Sequence, residues 1–216
     1  MPKPLTVHRV FLLSPASCAG RRARLVFRSG ADFELARRLR SREGAPLGET
    51  FAFLSGLYFR GKLAYASAFA HPPEGVSGAL VITSNAGLRP AEERVRLSTL
   101  QRFARVPIDS ADRRYRVPLL SDAKLLAESL PADAEVVLLG SVATGKYVDV
   151  LVQVFEERLR FPGDFVGRGD MSRGGLMLRC VREGRELEYR PVIGAARHGR
   201  RPPKLERPPG NLPGSA

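Results

Sequence analysis

A glycine-containing stretch after an apolar run is the first candidate for chemistry. Residues 138–147, LLGSVATGKY, carry the spacing Gly-x-x-x-x-Gly-Lys, which is typical of a phosphate-binding P-loop. Tyr147 stands where a P-loop has the Ser or Thr that holds magnesium, and the later run GGLMLRC supplies no aspartate for the same metal. We therefore expect a strand-to-helix turn whose Ser141, Thr144 and Lys146 contact an anion, and not an ATPase of the P-loop type.

Two other apolar runs end in similar segments, SPASCAGRR at 14–22 and TSNAG at 83–87. Ligands of open α/β sheets bind at the carboxyl ends of strands, where small residues and free backbone amides admit an anion. These segments contribute the candidate ligand residues Ser14, Ser17, Arg21, Ser84 and Asn85. The three segments together predict a phosphate or nucleotide site. The alternative is that turns contain Gly, Ser and Asn for conformational reasons alone.

A glycine-rich block, FPGDFVGRGDMSRGG at 161–175, is long for a connector. Ordering its glycines is entropically costly, which favours a functional loop. Arg168 and Arg173 are then candidates for binding the anion, and Asp170 is the candidate catalytic base, metal ligand or partner of an arginine. The alternative is an Asp170–arginine pair that only holds the loop.

Cysteine and histidine usage does not predict a metal site. The two cysteines, Cys18 and Cys180, form no Cys-x-x-Cys pair, and the three histidines are far apart in sequence. We expect a reducing, cytoplasmic setting. No apolar run approaches the roughly 18 residues that span a membrane, so we expect no membrane partner.

The elements that must position these residues alternate between short apolar runs and longer amphipathic ones. This pattern predicts an α/β fold, three-layered and Rossmann-like, with a mostly parallel sheet and a C-terminal antiparallel hairpin of 175–182 and 186–192 around Glu183-Gly184. The predicted strands are 9–14, 78–84 and 135–140, and the predicted helices are 31–41, 56–70, 94–104, 121–130 and 144–158. Residues 1–194 are expected to form one domain, followed by a disordered Pro/Gly-rich tail, 195–216.

The formal net charge of +13 is concentrated at the two ends of the chain. Residues 1–42 hold ten Lys/Arg against Asp32 and Glu34, and residues 195–216 hold five against Glu206. Basic ends could follow a nucleic-acid backbone. They could equally reflect a composition in which Arg replaces Lys, as in GC-biased genomes.

Two segments carry a resemblance. Residues 57–66 (LYFRGKLAYA) and 82–90 (ITSNAGLRP) are similar to a small Rossmann-like domain of unknown function in bacterial and phage proteins, over about residues 50–110. The resemblance implies a nucleotide or nucleic-acid setting. Asn85-Ala86 replaces bulkier residues of that group and the first-strand loop lacks its Cys-Ser start, so no catalytic residue is transferred.

The leading hypothesis from the sequence is an anion-binding crevice at the strand tips, with a nucleotide or a nucleic-acid phosphate as its ligand. A second hypothesis is a non-catalytic DNA- or RNA-binding protein that uses the basic N-terminal region and tail. A third is a structural or partner-binding module without a ligand. The sequence does not specify a reaction, a cofactor or an oligomeric state.

Overall fold

The structure is a computed structural model that describes residues 7–200 and 202–203. Within these ranges helices alternate with short strands. In chain order the strands are Arg9–Leu13 (β1), Ala45–Pro46 (β2), Ala79–Ile82 (β3), Leu88–Pro90 (β4), Arg94–Val95 (β5), Glu135–Leu139 (β6), Leu159–Pro162 (β7) and Tyr189–Pro191 (β8). The helices are Arg21–Phe27 (α1), Glu34–Arg40 (α2), Leu47–Ser55 (α3), Leu57–Phe69 (α4), Leu97–Ala104 (α5), Arg113–Ser129 (α6), Gly145–Phe155 (α7) and Asp170–Glu183 (α8).

The main sheet is mixed, with six strands in the order β4-β3-β1-β6-β7-β8. Its four central strands, β3, β1, β6 and β7, are parallel to one another. The edge strands β4 and β8 pair antiparallel with β3 and β7. A separate two-stranded sheet joins β2 and β5. The predicted α/β fold with a mostly parallel sheet is confirmed.

The central strands are apolar on both faces, and their side chains belong to two hydrophobic clusters that also contain helix residues. Phe11 and Leu13 of β1 belong to a first hydrophobic cluster that includes residues of α1, α3, α4 and α8. Val10 and Leu12 belong to a second cluster, built with α6 and α7. Side chains alternate along a strand, so one short apolar run supplies both clusters.

The predicted C-terminal hairpin is confirmed only in part. Residues 175–182 are not a strand; they lie in α8, whose Leu176, Met177 and Cys180 are buried at helical spacing. Gly184 ends this helix in the left-handed conformation, at φ +62°, which glycine adopts without strain. The strand after it, β8, pairs with β7 and not with 175–182.

Other segments are more regular than the sequence indicates. The helix predicted at 121–130 begins earlier, where Asp112 accepts a hydrogen bond from the Arg114 amide, and it contains Pro118. The block 161–175 is not a single loop, since it contains the end of β7, a 3₁₀ turn at Gly163–Phe165 and the start of α8.

The chain ends are described only in part. Of the predicted tail, residues 195–200 and 202–203 are described and have no regular secondary structure, and the other tail residues lie outside the described ranges. Residues 1–6 of the basic N-terminal region also lie outside them. None of the described helices is both long and apolar enough to cross a membrane.

Candidate functional site

The three candidate loops begin side by side at one edge of the sheet. Leu13, at the end of β1, is in register with Val81 of β3 on one side and Leu139 of β6 on the other. Because these strands are parallel, the segments that begin at Ser14, Thr83 and Gly140 leave the sheet in the same direction. The fold thus brings together segments that are far apart in sequence.

A crevice of about 470 Å³ lies beside these loops. It is lined by residues 15–19, Phe51, Ser84, residues 103–108, Lys146 and Tyr147. Its wall combines small residues of the β1 loop with the end of α5 and the first turn of α7. Such a mixture of apolar wall and a few polar groups is typical of small-molecule sites.

The charge of the crevice is positive. Arg105 and Lys146 are exposed, and no carboxylate occurs among the described residues that line it. Helix α7 begins at the crevice with Thr144 as its N-cap, and the Thr144 side chain makes no capping hydrogen bond. The amides of the first turn therefore add a partial positive charge.

Three of the predicted ligand residues, Ser17, Ser84 and Lys146, line the crevice. The Ser84 hydroxyl donates to the Phe103 carbonyl at 2.7 Å, and the Asn85 amide donates to the Arg102 carbonyl at 3.0 Å. These two side chains therefore hold the end of α5 against the sheet. Other predicted ligand residues in the same loops do not line the crevice, namely Arg21, Ser141 and Thr144.

Ser14 does not line the crevice and contacts a buried lysine of α4. The Lys62 ammonium nitrogen Nζ is 2.5 Å from the Ser14 carbonyl oxygen and 2.9 Å from Ser14 Oγ. Lys62 is only 1% exposed, and its Nζ lies 4.4 Å and 4.7 Å from the ring centroids of Tyr58 and Phe59. We call Ser14, Tyr58, Lys62 and Arg173 the Lys62 cluster.

Burial controls the protonation of the Lys62 cluster. Desolvation lowers the pKa of Lys62 to about 7; the nearby Asp170 carboxylate raises it and the Arg173 guanidinium lowers it further. Desolvation also raises the pKa of Tyr58 to about 12. A buried amine that is partly neutral near pH 7 can accept a proton, which an ordinary surface lysine cannot do at that pH.

Tyr58 has an unsatisfied hydroxyl. Its oxygen is buried and has no hydrogen-bond partner among the residues that the structure describes. Ser14 and the Arg173 guanidinium lie near enough to lower its pKa, but neither makes a hydrogen bond of ordinary geometry with it. A buried polar group without a partner costs about 1–3 kcal/mol, so its presence calls for a reason.

The predicted residues of the 161–175 block lie apart from the crevice lining. Arg168 donates to the Asp164 carbonyl and to Ser172 Oγ, and Arg173 donates to the Phe165 carbonyl. Asp170 is the first residue of α8; its side chain is 68% exposed and lies 3.7 Å from the Arg173 guanidinium. The Asp170–Arg173 pair of the alternative is present at 3.7 Å, and its role in holding the segment stays a prediction. The role of Asp170 as a general base stays a prediction.

A close crossing of α4 and α8 brings the Lys62 cluster together. A Cβ atom on Gly61 would lie 2.7 Å from the Gly174 carbonyl oxygen, and one on Gly174 would lie 2.8 Å from Tyr58 Cα. Glycine at both positions lets the two backbones touch. Arg173 is adjacent to one glycine and Lys62 to the other, so the crossing fixes the distance between these two cations.

Thiol and metal chemistry receive no support from the described residues. Burial raises the pKa of Cys18, at the crevice wall, to about 12, so its thiol stays protonated near neutral pH. Cys18 and Cys180 are free. Within residues 7–200 and 202–203, no group of three His, Cys, Asp or Glu side chains is placed to hold a metal ion.

Sequence reasoning missed Lys62 and Arg105 as site residues. Arg105 follows α5 on a segment for which the sequence predicts no regular element. Lys62 could have been found, because Tyr58, Lys62, Tyr65 and Ala66 form one buried stripe at helical spacing. A lysine inside such a stripe has its amine in the core, which predicts a buried amino group.

The chain matches no protein-family model, no curated protein and no solved structure. The resemblance of residues 50–110 to a small Rossmann-like domain therefore stays a prediction. Any function must be inferred from the geometry of the site alone.

Proposed function

We propose that the crevice binds a small phosphate-bearing molecule of the nucleotide class. The strand order supports this location. Counting only the parallel strands, the order β3-β1-β6-β7 is second, first, third, fourth, which is an order found in doubly wound sheets. In such sheets the ligand binds where the order of the strands reverses, here between β1 and β6.

The loops on the two sides of this point diverge. The β1 loop leads to α1, whose Val26 packs in the first hydrophobic cluster, and the β6 loop leads to α7, whose Val148 packs in the second. Diverging loops leave an opening above the strand ends. The crevice lies at this opening, between residues 15–19 and Lys146-Tyr147.

The observation that carries the proposal is the charge of the crevice. Arg105 and Lys146 are the charged groups among its described lining residues. The free backbone amides at the start of α7 add a partial positive charge. Two cations and a helix N-terminus at a cavity fit an anion with several oxygens, and phosphate is the usual one. Phe51 and Phe103 supply an apolar wall that suits a base or sugar.

One carboxylate opposes the anion. The side chain of Asp149 folds back beside Gly145, where a Cβ atom would collide with it. It lies outside the crevice lining but near the first turn of α7, where a negative charge competes with a bound anion. Asp149→Asn removes this charge and should strengthen anion binding. A variant that only destabilises the fold would not bind the anion more tightly.

The proposal is tested by thermal unfolding with ATP, pyrophosphate, inorganic phosphate and neutral adenosine. ATP and pyrophosphate should raise the melting temperature, with ATP at about 100 times its Kd adding about 2.7 kcal/mol to the free energy of unfolding. Lys146→Ala and Arg105→Ala should each weaken binding about tenfold or more, because a hydrogen bond to a charged group contributes about 1.5–3 kcal/mol.

Lys124→Ala is the matched control, since Lys124 is an exposed lysine on α6 outside the crevice. It should leave the ATP-induced shift unchanged, and Asp149→Asn should increase it. If no phosphate compound shifts the melting temperature, or if Lys124→Ala and Lys146→Ala reduce the shift equally, the crevice is not the site.

Three arginines of the N-terminal region have partners within the protein, which weakens the alternative of nucleic-acid binding through them. Arg9 is ion-paired with Glu135 and Glu186, both at 2.7 Å, and Arg38 is paired with Glu49. Arg40 donates to three backbone carbonyls. Guanidinium groups that already have partners within the protein are less available to a phosphate backbone.

A further inference from the structure

A serine hydroxyl, a buried amine and an unpartnered hydroxyl donor meet at the end of β1. We propose that Ser14 Oγ is a nucleophile, that Lys62 Nζ is its general base, and that Tyr58 donates a hydrogen bond to the oxyanion, in acyl transfer from a carboxylic ester. This activity would be separate from phosphate binding in the crevice and does not depend on it.

The contact between Ser14 and Lys62 has the geometry of a nucleophile and its base. Nζ and Oγ are 2.9 Å apart, within the range for proton transfer. The second contact of Nζ, 2.5 Å to the Ser14 carbonyl, holds the amine through one N–H. A neutral Lys62 held in this way can direct its lone pair at the Ser14 hydroxyl.

The surroundings favour a neutral amine. The charged and titratable groups around Lys62 are Asp170 and Arg173 from α8, and Tyr58 from its own helix, with Tyr147 of α7 next to Tyr58. The Asp170 carboxylate is 68% exposed and is paired with Arg173, so it offsets little of the cost of burying the ammonium.

Tyr58 supplies a donor that nothing else in the described structure uses. Its phenol is protonated at neutral pH, burial raises its pKa further above the ordinary value, and its oxygen has no partner among the described residues. An oxyanion that forms beside Ser14 would accept this hydrogen bond. The buried hydroxyl would then be unsatisfied only in the ground state, which favours the transition state.

Ser14 is next in the chain to residues of the crevice lining but is not one of them. The residue retains 5% exposure, and the next two residues, Pro15 and Ala16, line the crevice. Gly140 lies against Ser14, and a Cβ atom there would be 3.2 Å from Ser14 Oγ. Glycine at this position lets the backbone after β6 pass close to the Ser14 hydroxyl.

The reaction proceeds in two balanced halves. Ser14 Oγ bonds to the ester carbonyl carbon while its proton passes to Lys62 Nζ, and the carbonyl oxygen becomes an oxyanion. The intermediate collapses, the bond to the leaving alkoxide breaks, and Lys62 returns the proton to it as the alcohol departs. Water then attacks the carbonyl carbon of the acyl-Ser14 and passes a proton to Lys62. The bond from this carbon to Ser14 Oγ breaks, Lys62 returns the proton to Oγ, and the carboxylic acid leaves.

Phenylmethylsulfonyl fluoride tests the nucleophile directly on the full chain. Attack by Ser14 Oγ forms an S–O bond and breaks the S–F bond, so fluoride leaves and the proton passes to Lys62. Intact mass should show one sulfonyl group, and peptide mapping should place it on Ser14. The rate should rise with pH and level off above about 7, where Lys62 is neutral.

Three variants separate the roles. Lys62→Gln keeps a polar N–H donor but cannot take a proton, and it should slow labelling about 10²-fold or more, the usual contribution of a general base. Tyr58→Phe should slow hydrolysis of p-nitrophenyl acetate more than labelling. Ser29→Ala, the matched serine control, should label like the wild type because Ser29 is exposed after α1 and lies outside the crevice lining.

Two results would overturn the proposal. One is a folded wild-type protein that is never labelled at Ser14. The other is a folded Lys62→Gln variant that is labelled at the wild-type rate, which would show that Lys62 only anchors the β1 carbonyl. If Lys62→Gln does not fold, the wild-type pH profile decides instead, since a rate that is flat from about pH 6 to pH 8 excludes a base whose pKa lies near neutrality. Loss of ATP binding would not affect any of these outcomes.

Discussion

Lys62 is unfavourable to bury as a cation, and its energetic effect depends on pH. Its Nζ has one carbonyl, one hydroxyl and two aromatic rings as neighbours but no carboxylate in direct contact. Such neighbours satisfy the N–H groups of an amine better than they compensate a full positive charge. The folded state therefore prefers neutral Lys62, whereas the unfolded chain keeps it charged at neutral pH.

This difference predicts how stability changes with pH. The folded-state pKa of about 7 lies below the ordinary value of 10.5, so between these values the unfolded state binds more protons and stability rises with pH. From about pH 7 to pH 9 the gain should be about 2 kcal/mol, from a slope of about 1.4 kcal/mol per pH unit once Lys62 is neutral. Urea unfolding of the wild type and of Lys62→Met should show this gain only in the wild type.

Lys124→Met controls for the loss of any lysine. Because Lys124 is exposed on α6, this variant should follow the wild-type curve at every pH. Parallel curves for Lys62→Met and the wild type would contradict the lowered pKa, whatever the absolute stability of the variant.

At the scale of elements, the contact between α4 and α8 sets the position of the Lys62 cluster. At Gly61 and Gly174 no side chain separates the two helices, and their backbones are in direct contact. Close backbone packing leaves little room for adjustment. The packing of the two helices therefore fixes the position of Lys62 relative to Arg173.

Gly174→Ala should destabilise the protein. Alanine in the middle of an ordinary helix stabilises it by about 1 kcal/mol relative to glycine. Here the added Cβ would lie 2.8 Å from Tyr58 Cα, so we expect a net loss of about 1–3 kcal/mol from overpacking. Chemical denaturation measures the loss, and Gly30→Ala, where a Cβ atom would meet nothing within 4 Å, should show none. A stabilised Gly174→Ala variant would disprove the close crossing.

The elements differ in how far the sequence predicts them. The buried runs at 9–14, 78–84 and 135–140 are strands because apolar residues fill both faces and no helical period competes. The strand prediction for 175–182 is wrong. It followed from Leu176, Leu178 and Cys180, which alternate with other residues as in a strand. In the structure Leu178 is only partly buried while Met177 is fully buried, which is the helical pattern. An eight-residue window does not separate the two periods.

At the scale of the whole molecule, the candidate site depends on strand order. The sequence indicates three similar loops, and general rules for α/β sheets place them at strand ends. Their adjacency requires β1 to lie between β3 and β6, which no local pattern encodes. For the same reason Arg105 and Lys62 were missed: their proximity to Ser84 and Ser14 is a property of the assembled sheet and its helices.

The excess positive charge of the chain gives a last prediction, which separates small-molecule binding from nucleic-acid binding. Removing residues 201–216 deletes Arg201, Lys204 and Arg207 together with Glu206, and leaves every described residue of the crevice in place. The ATP-induced rise in melting temperature should be unchanged by this truncation and reduced by Lys146→Ala. Binding to a single-stranded DNA oligonucleotide should respond in the opposite way, weakening on truncation and falling steeply between about 50 and 200 mM salt, because contacts to phosphates release counterions. If the truncation abolishes the ATP-induced rise in melting temperature, ATP binds to the tail and not to the crevice.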